Sequence, residues 1–278
     1  MALFRGFNLL KYRKEPIMYY LSIVTVSFND KDALLRTMKS IFPIPNYCEW
    51  IIVDADSQDG TKEFLNSLPK QNNIKWISEK DHGIYDGMNK GIHLASGQYI
   101  AFMNAGDMYV RQNLEAIVNR QYCEHEILVF DYIPLNSELE IGYSRLFTTD
   151  IKCIESYDCI PHQSTLIAKK LFFIHGDYNI NFKYAADYDF FSKVYISGHK
   201  FIFNPDIKLS YFVQDGVSSD LKNSLKIACE CQKIQLKYFN KYSKKLFLVY
   251  LLKYIISFFP ASNSIFNLLR MICLHKKK

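Results

Sequence analysis

The chain contains 278 residues, of which 49% are hydrophobic and 15% aromatic, so it can bury a large core and is not a disordered protein. Its net charge of +6 comes from the end of the sequence, because ten of the 34 basic residues and none of the 28 acidic residues follow Glu230. Residues 1–230 therefore hold 24 basic and 28 acidic residues, a net charge of −4. The basic residues of the tail alternate with long aliphatic runs, which argues against a nucleic-acid-binding surface.

The seven cysteines show neither a Cys-x-x-Cys pair nor a metal-binding spacing with histidine. An odd number of cysteines without a secretory signal peptide predicts reduced thiols and a cytoplasmic protein. Residues 1–18 mix apolar and basic side chains, and their apolar run is too short for a signal peptide or a membrane span. We predict an N-terminal extension here; a segment at a membrane interface and a plain extension both fit the pattern.

Strands and helices alternate in the first part of the chain. Apolar, β-branched segments predict strands over 21–28, 50–53, 74–77 and 99–103. Helical spacing of apolar residues predicts helices over 32–42, 61–68 and 84–95. This alternation predicts an α/β fold, a doubly wound and mostly parallel sheet flanked by helices. No GxGxxG motif follows the first strand and no GxxxxGK[ST] motif occurs, which argues against dinucleotide-dependent dehydrogenases and P-loop enzymes.

The second part of the chain is less regular. We predict a helix from Leu114, strands over 127–130, 141–146, 161–168, 201–203 and 207–212, and a helix over 187–196. After Gly216 the character changes, and we predict an amphipathic helix over 221–242, an apolar segment over 246–259 and a last apolar helix over 265–274. These three segments form a C-terminal helical appendage.

Three glycines in the predicted helix 84–95 and at its start are spaced four residues apart. Gly83, Gly87 and Gly91 would share one face of the helix, because residues i and i+4 lie above one another. A face without Cβ atoms lets a helix backbone approach its neighbour closely. We therefore expect this helix to lie close to the sheet.

Polar residues follow several of the predicted strands. Ser27 and Asn29 lie at the end of the first strand, Asp54 follows the second, and the sequence Asn104-Ala-Gly-Asp107 follows the fourth. Ligands of α/β sheets bind at the carboxyl ends of the strands, and a carboxylate there suits a divalent cation that holds a phosphate. Turns and helix caps are the alternative for part of the same pattern. They explain Asn104–Asp107 as an ordinary strand-end turn with Asp107 as its cap, Asn29 or Asp30 as the cap of one helix, and Asp59 with Gly60 as the cap of the next.

The stretches that carry these residues are Leu21-Ser-Ile-Val-Thr-Val-Ser-Phe-Asn29, Ile51-Ile-Val-Asp-Ala-Asp-Ser-Gln-Asp-Gly-Thr61, Ser78 to Gly91 and Ala95 to Asp107. Together they closely resemble the family 2 glycosyltransferases, in the branch that builds bacterial surface polysaccharides and O-antigens. The resemblance covers roughly residues 19–218. It implies a GT-A catalytic domain there, a nucleotide-sugar donor, a divalent cation (Mg²⁺ or Mn²⁺) and inversion at the anomeric carbon.

The resemblance implies that Ser27, Asn29, Asp54, Asp81, Asn104 and Asp107 bind the donor, and that Asp107 is the metal ligand. The family commonly has an Asp-x-Asp-type sequence here, but Asn104 and Gly106 occupy the positions that are often acidic. Only Asp107 retains a charge in this motif. Because two anions repel each other, Asp81 is expected to contact the base or the ribose of the donor, or a neighbouring lysine, and not the phosphates.

A second group of residues resembles the family's acceptor side. Asp187, in Tyr184-Ala-Ala-Asp187-Tyr-Asp189, occupies the position of the general base at a helix start. His162 and Gln163 resemble the acceptor-side strand, and Asp215-Gly-Val-Ser218 a loop over the diphosphate. A helix-capping role for Asp187 and a core position for His162 are the structural alternatives. Asp189 points to a different face of the helix.

The basic tail fits a helix that lies in the plane of an anionic membrane, because its apolar run is shorter than the ~20 residues of a span. A helix pair packed on the catalytic domain, or a dimer interface, is the alternative. The resemblance implies a UDP-sugar donor, a polyprenyl-diphosphate-linked saccharide acceptor and a peripheral location on the inner face of the cytoplasmic membrane. A catalytically weak homologue that only binds or scaffolds is the alternative to a hexosyl- or N-acetylhexosaminyl-transferase. A nucleotidyltransferase would need a Gly-rich basic loop after the first strand, where Ser-Phe-Asn-Asp-Lys stands.

Overall fold

The computed structural model describes residues 19–120, 126–136, 138–142, 147–213 and 220–259, and every structural statement below refers to these ranges. The predictions for residues 1–18, the loop 215–218 and the helix 265–274 lie outside them. The same holds for residues 143–146 of the strand predicted over 141–146. The part that is described contributes one antiparallel bridge, between Ile141 and Leu135.

Four parallel strands form the first half of the sheet, in the order β3-β2-β1-β4. Their bounds are β1 Leu21–Ser27, β2 Cys48–Asp54, β3 Ile74–Ser78 and β4 Tyr99–Phe102. The connecting helices are α1 Lys31–Ile41, α2 Thr61–Ser67 and α3 Ile84–Leu94. Every residue of β1, β2 and β4 is buried, which explains their nearly continuous apolar sequences. The predicted elements of this half are confirmed to within two residues at each end.

The second half of the sheet mixes strand directions, in the order β7-β6-β8-β5 after β4. Its strands are β5 Met108–Tyr109, β6 Ile127–Leu135, β7 Thr165–Ala168 and β8 Phe201–Val213. β7 runs antiparallel to β4 and β6, β5 runs antiparallel to β8, and β6 pairs with β8 in parallel. The strand predicted over 161–168 is shorter than expected, because a 3-10 helix, His162–Ser164, precedes it.

The two strands predicted over 201–203 and 207–212 are one strand, so that prediction is wrong. Asn204 pairs with Phe130 and Lys208 pairs with Asp131, so the residues between Asn204 and Lys208 form an irregularity on one strand. Pro205 lies in that irregularity. Because proline has no N–H to donate, a bulge is one of the few places where a strand accepts it.

Five further helices complete the described part of the chain. They are α4 Arg111–Arg120, α5 Lys170–His175, α6 Ala186–Ile196, α7 Ser224–Phe239 and α8 Lys244–Ile256. The helix predicted over 221–242 begins with a 3-10 turn and ends at Phe239, because Asn240 takes the left-handed conformation (φ 54°) that often follows a helix. α7 packs against α6, and α8 packs against α7. Among these helices none has both the length and the apolar character needed to cross a bilayer.

The predicted close approach of α3 to the sheet is confirmed at two of the three glycines. A Cβ atom on Gly91 would lie 2.3 Å from Val24 Cγ1, and one on Gly87 would lie 3.2 Å from Val26 Cγ1. Gly83 has open space around it and a different reason to be glycine. It precedes α3 with φ 119°, a conformation that other residues rarely adopt.

Candidate active site

A cleft of about 840 Å³ opens at the carboxyl ends of β1 and β4 and extends along the start of α3 and the start of α6. Seven of the predicted site residues line it, namely Ser27, Asp81, Asn104, Asp107, His162, Gln163 and Asp187. The sheet topology explains this meeting, since β1 and β4 are adjacent parallel strands. Residues Asn29 and Asp54 do not line the cleft.

Asp54 is fully buried and shapes the loop after β2. Its carboxylate accepts hydrogen bonds from the Ser57 backbone N–H (3.1 Å), the Ser57 hydroxyl and the Ser78 hydroxyl (2.5 Å). Ser57 Oγ in turn accepts from the Asn29 backbone N–H at 2.8 Å, and Asn29 Oδ1 accepts from the Gln58 N–H at 2.8 Å. Asn29 and Asp54, through Ser57, therefore join the loops after β1 and β2.

The helix-capping alternatives hold for two further aspartates. Asp30 caps α1, where its Oδ1 accepts from the Ala33 N–H at 2.9 Å. Asp59 accepts from the Thr61 N–H and hydroxyl and from the Lys31 N–H, so it fixes the start of α2 against α1.

The turn from Asn104 to Asp107 is fixed from α1. Thr37 Oγ1 donates to the Asp107 carbonyl oxygen at 2.7 Å and accepts from the Gly106 N–H at 2.9 Å. The Asp107 side chain is 5% exposed, and its Oδ1 accepts from the Val213 N–H at 2.8 Å. The one charged side chain of this motif is thus held at the cleft wall between the ends of β4 and β8.

Two buried oxygen atoms beside this turn have no hydrogen-bond partner among the described residues, Asn104 Oδ1 and Ser27 Oγ. Buried polar atoms are normally satisfied, so an unpartnered polar atom in a residue that lines a cleft suggests that a ligand binds nearby. The described residues hold no group of three or more His, Cys, Asp or Glu side chains that would bind a metal by themselves. Asn104 and Asp107 therefore suit a hard cation only if a bound phosphate supplies further oxygen ligands.

The charge of the cleft supports the need for a cation. Among the described lining residues, one is a lysine, Lys183, and six are aspartates: Asp30, Asp81, Asp86, Asp107, Asp158 and Asp187. An anionic ligand such as a diphosphate would be repelled by this wall unless positive charge enters with it.

The loop before α3 places two of these carboxylates. Asp81 Oδ1 accepts from the Gly83 N–H and Asp86 Oδ2 accepts from the His82 N–H, both at 2.9 Å. Asn89, on the same helix, has a purely structural role. Its amide exchanges two hydrogen bonds of 2.9 Å with the Tyr178 backbone.

Asp187 lies in the first turn of α6 and faces the cleft. Its Oδ1 accepts hydrogen bonds from the Tyr85 hydroxyl at 2.8 Å and from the Tyr188 N–H at 3.0 Å. Burial, reinforced by the charge of Asp187, raises the pKa of Tyr85 well above its ordinary value, so the phenol stays a donor. Asp189 is 2% exposed, binds Lys237 at 2.9 Å and does not line the cleft. Of the two acids in this motif, Asp187 is the one available to a ligand.

His162 forms part of the cleft wall and also part of the core. Its ring stacks on Phe102 at a centroid distance of 4.9 Å, and its Nε2 lies 2.8 Å from the Tyr178 hydroxyl oxygen. Burial lowers the pKa of His162, so its imidazole is neutral near pH 7. His162 therefore occupies a core position, which the sequence had left as an alternative, and it also lines the cleft. Gln163 lines the cleft beside it.

Several lining residues were not predicted from the sequence. Tyr85 comes 102 residues before the aspartate it contacts, and no local motif announces that pair. Lys183 and Tyr184 line the cleft just before α6, and Tyr250 reaches it from α8. The sequence of α8 left open whether the helix lies at a membrane or packs on the catalytic domain, and it did not predict that Tyr250 reaches the cleft.

Comparison with known proteins supports the resemblance to family 2 glycosyltransferases. The model of "Glycosyl transferase family 2" matches residues 22–188. The uncharacterized glycosyltransferase Rv1514c of Mycobacterium tuberculosis is 30% identical over 186 residues, which is 61% of this chain and 66% of that protein. The chain thus spans just under two thirds of that relative.

Solved structures with the same fold are distant in sequence. S. aureus TarS 1-349 in complex with UDP-GlcNAc superposes with a TM-score of 0.61 at 15% identity, covering 86% of this chain and 73% of TarS 1-349. The mannosyltransferase PcManGT of Pyrobaculum calidifontis, in complex with GDP-Man and Mn²⁺, superposes with a TM-score of 0.61 at 13% identity. The superposition covers 85% of this chain and 69% of PcManGT. The predicted GT-A fold is confirmed. Since the family model covers more than half of the chain and the cleft is formed at the expected strand ends, the protein belongs to glycosyltransferase family 2.

Proposed function

We propose that this protein is an inverting glycosyltransferase that moves one hexose or N-acetylhexosamine from a UDP-sugar to a lipid-linked saccharide during synthesis of a surface polysaccharide. The observation that carries the proposal is the pairing of two sites in one cleft. Asp187, oriented by Tyr85, stands in the same cavity as the Asn104–Asp107 turn with its unpartnered oxygen. A base and a diphosphate site in one cavity are what a sugar transfer requires.

In the proposed reaction, the Asp187 carboxylate takes the proton of an acceptor hydroxyl. The hydroxyl oxygen forms a new bond to the anomeric carbon from the face opposite to the diphosphate. The bond between that carbon and the diphosphate oxygen breaks, and its electron pair leaves with the nucleoside diphosphate. One displacement inverts the anomeric centre and leaves no covalent sugar–enzyme intermediate. The hydrogen bond from Tyr85 fixes the direction of the carboxylate.

The donor side of the cleft is assigned to the nucleoside and the diphosphate. The Ser27 hydroxyl would donate or accept a hydrogen bond, and the Asp81 carboxylate would accept one, with the base or the ribose. Asn29 and Asp54 would act through the shape of the two loops that they join. Asp107 and Asn104 would hold Mg²⁺ or Mn²⁺, which when bound supplies positive charge for the leaving diphosphate. PcManGT, which shares the fold, was solved with GDP-Man and Mn²⁺.

The acceptor is proposed to be a polyprenyl-diphosphate-linked saccharide, presented at the inner face of the cytoplasmic membrane. α8 supports this location, because it exposes a stripe of apolar side chains, Leu248, Leu252 and Ile255, at 62%, 51% and 46% exposure. Tyr250 of the same helix lines the cleft. A helix that contacts the membrane on one side and the cleft on the other would bring the cleft to the level of the lipid headgroups. The basic residues of the tail favour anionic lipid there.

The proposal is tested by incubating the full chain with a panel of UDP- and GDP-sugars, Mn²⁺ and a total lipid extract from bacterial membranes. We expect release of the nucleoside diphosphate that needs both the extract and the cation. A thermal-shift measurement with UDP and Mn²⁺ runs in parallel. Nucleotide binding without release from any donor would favour the alternative, a binding or scaffold homologue. If the protein shows neither nucleotide binding nor nucleotide release, both the proposed function and the alternative are wrong.

A further inference from the structure

The start of α6 has no side-chain cap from its own N-cap residue. Its N-cap residue is Ala185, which has no side-chain acceptor, whereas Ser, Thr, Asp and Asn are the residues favoured there. A carboxylate of α7 instead binds the residues that lead into the helix, up to its N-cap. The Glu230 carboxylate accepts from the backbone N–H groups of Lys183 (2.9 Å), Tyr184 (2.9 Å) and Ala185 (3.1 Å).

Three consecutive N–H groups that converge on one anion form a nest, and charge-assisted bonds of this kind are about twice as strong as neutral ones. The carboxylate also lies near the positive end of the α6 dipole. Two further contacts join the same elements. The Tyr184 hydroxyl donates to Asn223 Oδ1 at 3.2 Å, and Lys237 of α7 binds Asp189 at 2.9 Å.

We propose that Glu230 is a positioning residue for Asp187, and that α7 is thereby a working part of the catalytic domain. The inference rests on the proposed role of Asp187 as general base. Asp187 follows the last anchored amide by two residues, so the nest fixes its backbone, while Tyr85 of α3 fixes the tip of its side chain. The same anchor holds Lys183 and Tyr184, which line the cleft.

Such an anchor matters because catalysis depends on small distances. A displacement of about 1 Å at a catalytic group can cost about a hundredfold in rate without loss of the fold. Glu155 also contacts α6, but at the end of the helix far from Asp187, so it should not have this effect. It accepts from the Tyr195 hydroxyl at 3.1 Å and from Lys241 at 2.6 Å, at the opposite end of α6 from Asp187.

The test compares Glu230→Gln with Glu155→Gln in the full chain. Glutamine keeps the size of the side chain but removes its charge and turns an NH2 group toward at least one anchored N–H. With the UDP-sugar that turns over fastest in the panel, we expect Glu230→Gln to lower kcat by about ten- to a hundredfold while KM for the donor stays within about twofold. Glu155→Gln should leave kcat unchanged. Glu230→Asp, which restores the charge on a shorter arm, should recover part of the rate.

Hydrogen–deuterium exchange on the peptide that contains residues 183–187 gives a readout independent of activity. Exchange there should rise in Glu230→Gln and stay at the wild-type level in Glu155→Gln. Equal exchange in the wild type and in Glu230→Gln would overturn the anchor. Faster exchange with unchanged kcat, or an equal loss of kcat in Glu155→Gln, would overturn the positioning role. A wild type that releases no nucleotide, yet shows the expected exchange, would defeat the proposed function and leave the anchor standing.

Discussion

The proposed donor side of the cleft takes its polar residues from the ends of neighbouring parallel strands, whereas the proposed base, Asp187, lies in the first turn of a helix. On the donor side, Asn104 and Asp107 follow β4 and are fixed by Thr37 of α1. On the base side, Asp187 is fixed by Tyr85 of α3, and the entry to its helix is fixed by Glu230 of α7.

Each side of the cleft also holds an acid that is not available to a ligand. Asp54 on the donor side is fully enclosed by loop hydrogen bonds, and Asp189 on the base side is enclosed by its pair with Lys237. On each side of the cleft, one acid therefore stabilises the fold and another lines the cleft: Asp54 and Asp107 on one side, Asp189 and Asp187 on the other. The contrast can be tested by substituting single residues on each side.

The largest expected effect comes from Asp187→Asn. The amide cannot take a proton, so turnover should fall by ~10²–10⁴ while affinity for UDP stays within about twofold, as measured by titration calorimetry. Asp189→Asn is the matched control, since it removes a carboxylate two residues away that does not line the cleft. It should cost about 1–3 kcal/mol of unfolding free energy and leave turnover of the folded protein intact. Wild-type turnover in Asp187→Asn would place the base elsewhere.

The donor side should respond to the number of charged ligands at the turn. Asp107→Ala should abolish the extra thermal stabilisation that Mn²⁺ gives in the presence of UDP, because the remaining ligand in the motif is a neutral amide. Asn104→Asp should have the opposite effect and tighten Mn²⁺ binding about tenfold, since it places a carboxylate where an unpartnered oxygen now lies. An unchanged Mn²⁺ response in both variants would show that the cation, if needed, binds elsewhere.

Sequence pattern was most informative where a contact is local or lies between adjacent strands. The first four strands and their helices follow from apolar runs and turn residues, and the ends of β1 and β4 meet because parallel neighbours share one edge. The resemblance to the family then assigned seven residues that the structure places in the cleft.

Contacts between segments far apart in the chain could not be predicted in this way. The bond from Tyr85 to Asp187 and the nest around Glu230 depend on how α3, α6 and α7 pack, and neither leaves a local signature. Asp54 was assigned to the donor because its position fits the motif, yet its burial by Ser57 and Ser78 is a tertiary fact. The single strand β8 was missed because a proline normally ends a strand and here lies in a bulge.

Helix α3 borders both sides of the cleft, so a change in its packing on β1 should affect both sides. Gly91→Ala would place a Cβ 2.3 Å from Val24 Cγ1, and we expect it to cost about 1–3 kcal/mol of unfolding free energy. In Gly87→Ala the new Cβ would lie 3.1 Å from Asp81 Oδ2 and 3.2 Å from Val26 Cγ1, so smaller shifts suffice. That variant should lose less stability but weaken UDP binding through Asp81. Urea denaturation and calorimetry would separate the two effects, and equal stability losses would refute the close approach at Gly91.

The smallest expected effect concerns the membrane. Leu252 on α8 and Ile196 at the end of α6 are each 51% exposed, so Leu252→Glu and Ile196→Glu are matched in burial and in charge change. If the α8 stripe enters the interface, Leu252→Glu loses apolar burial and adds a repelled charge worth ~1 kcal/mol, which together weaken binding about five- to tenfold. Ile196→Glu should bind vesicles of phosphatidylcholine and phosphatidylglycerol like the wild type in sedimentation. Added salt should weaken wild-type binding only partly, because the apolar contribution is not screened. Equal losses in both variants, or a wild type that does not sediment, would mean that the α8 stripe packs against another protein surface.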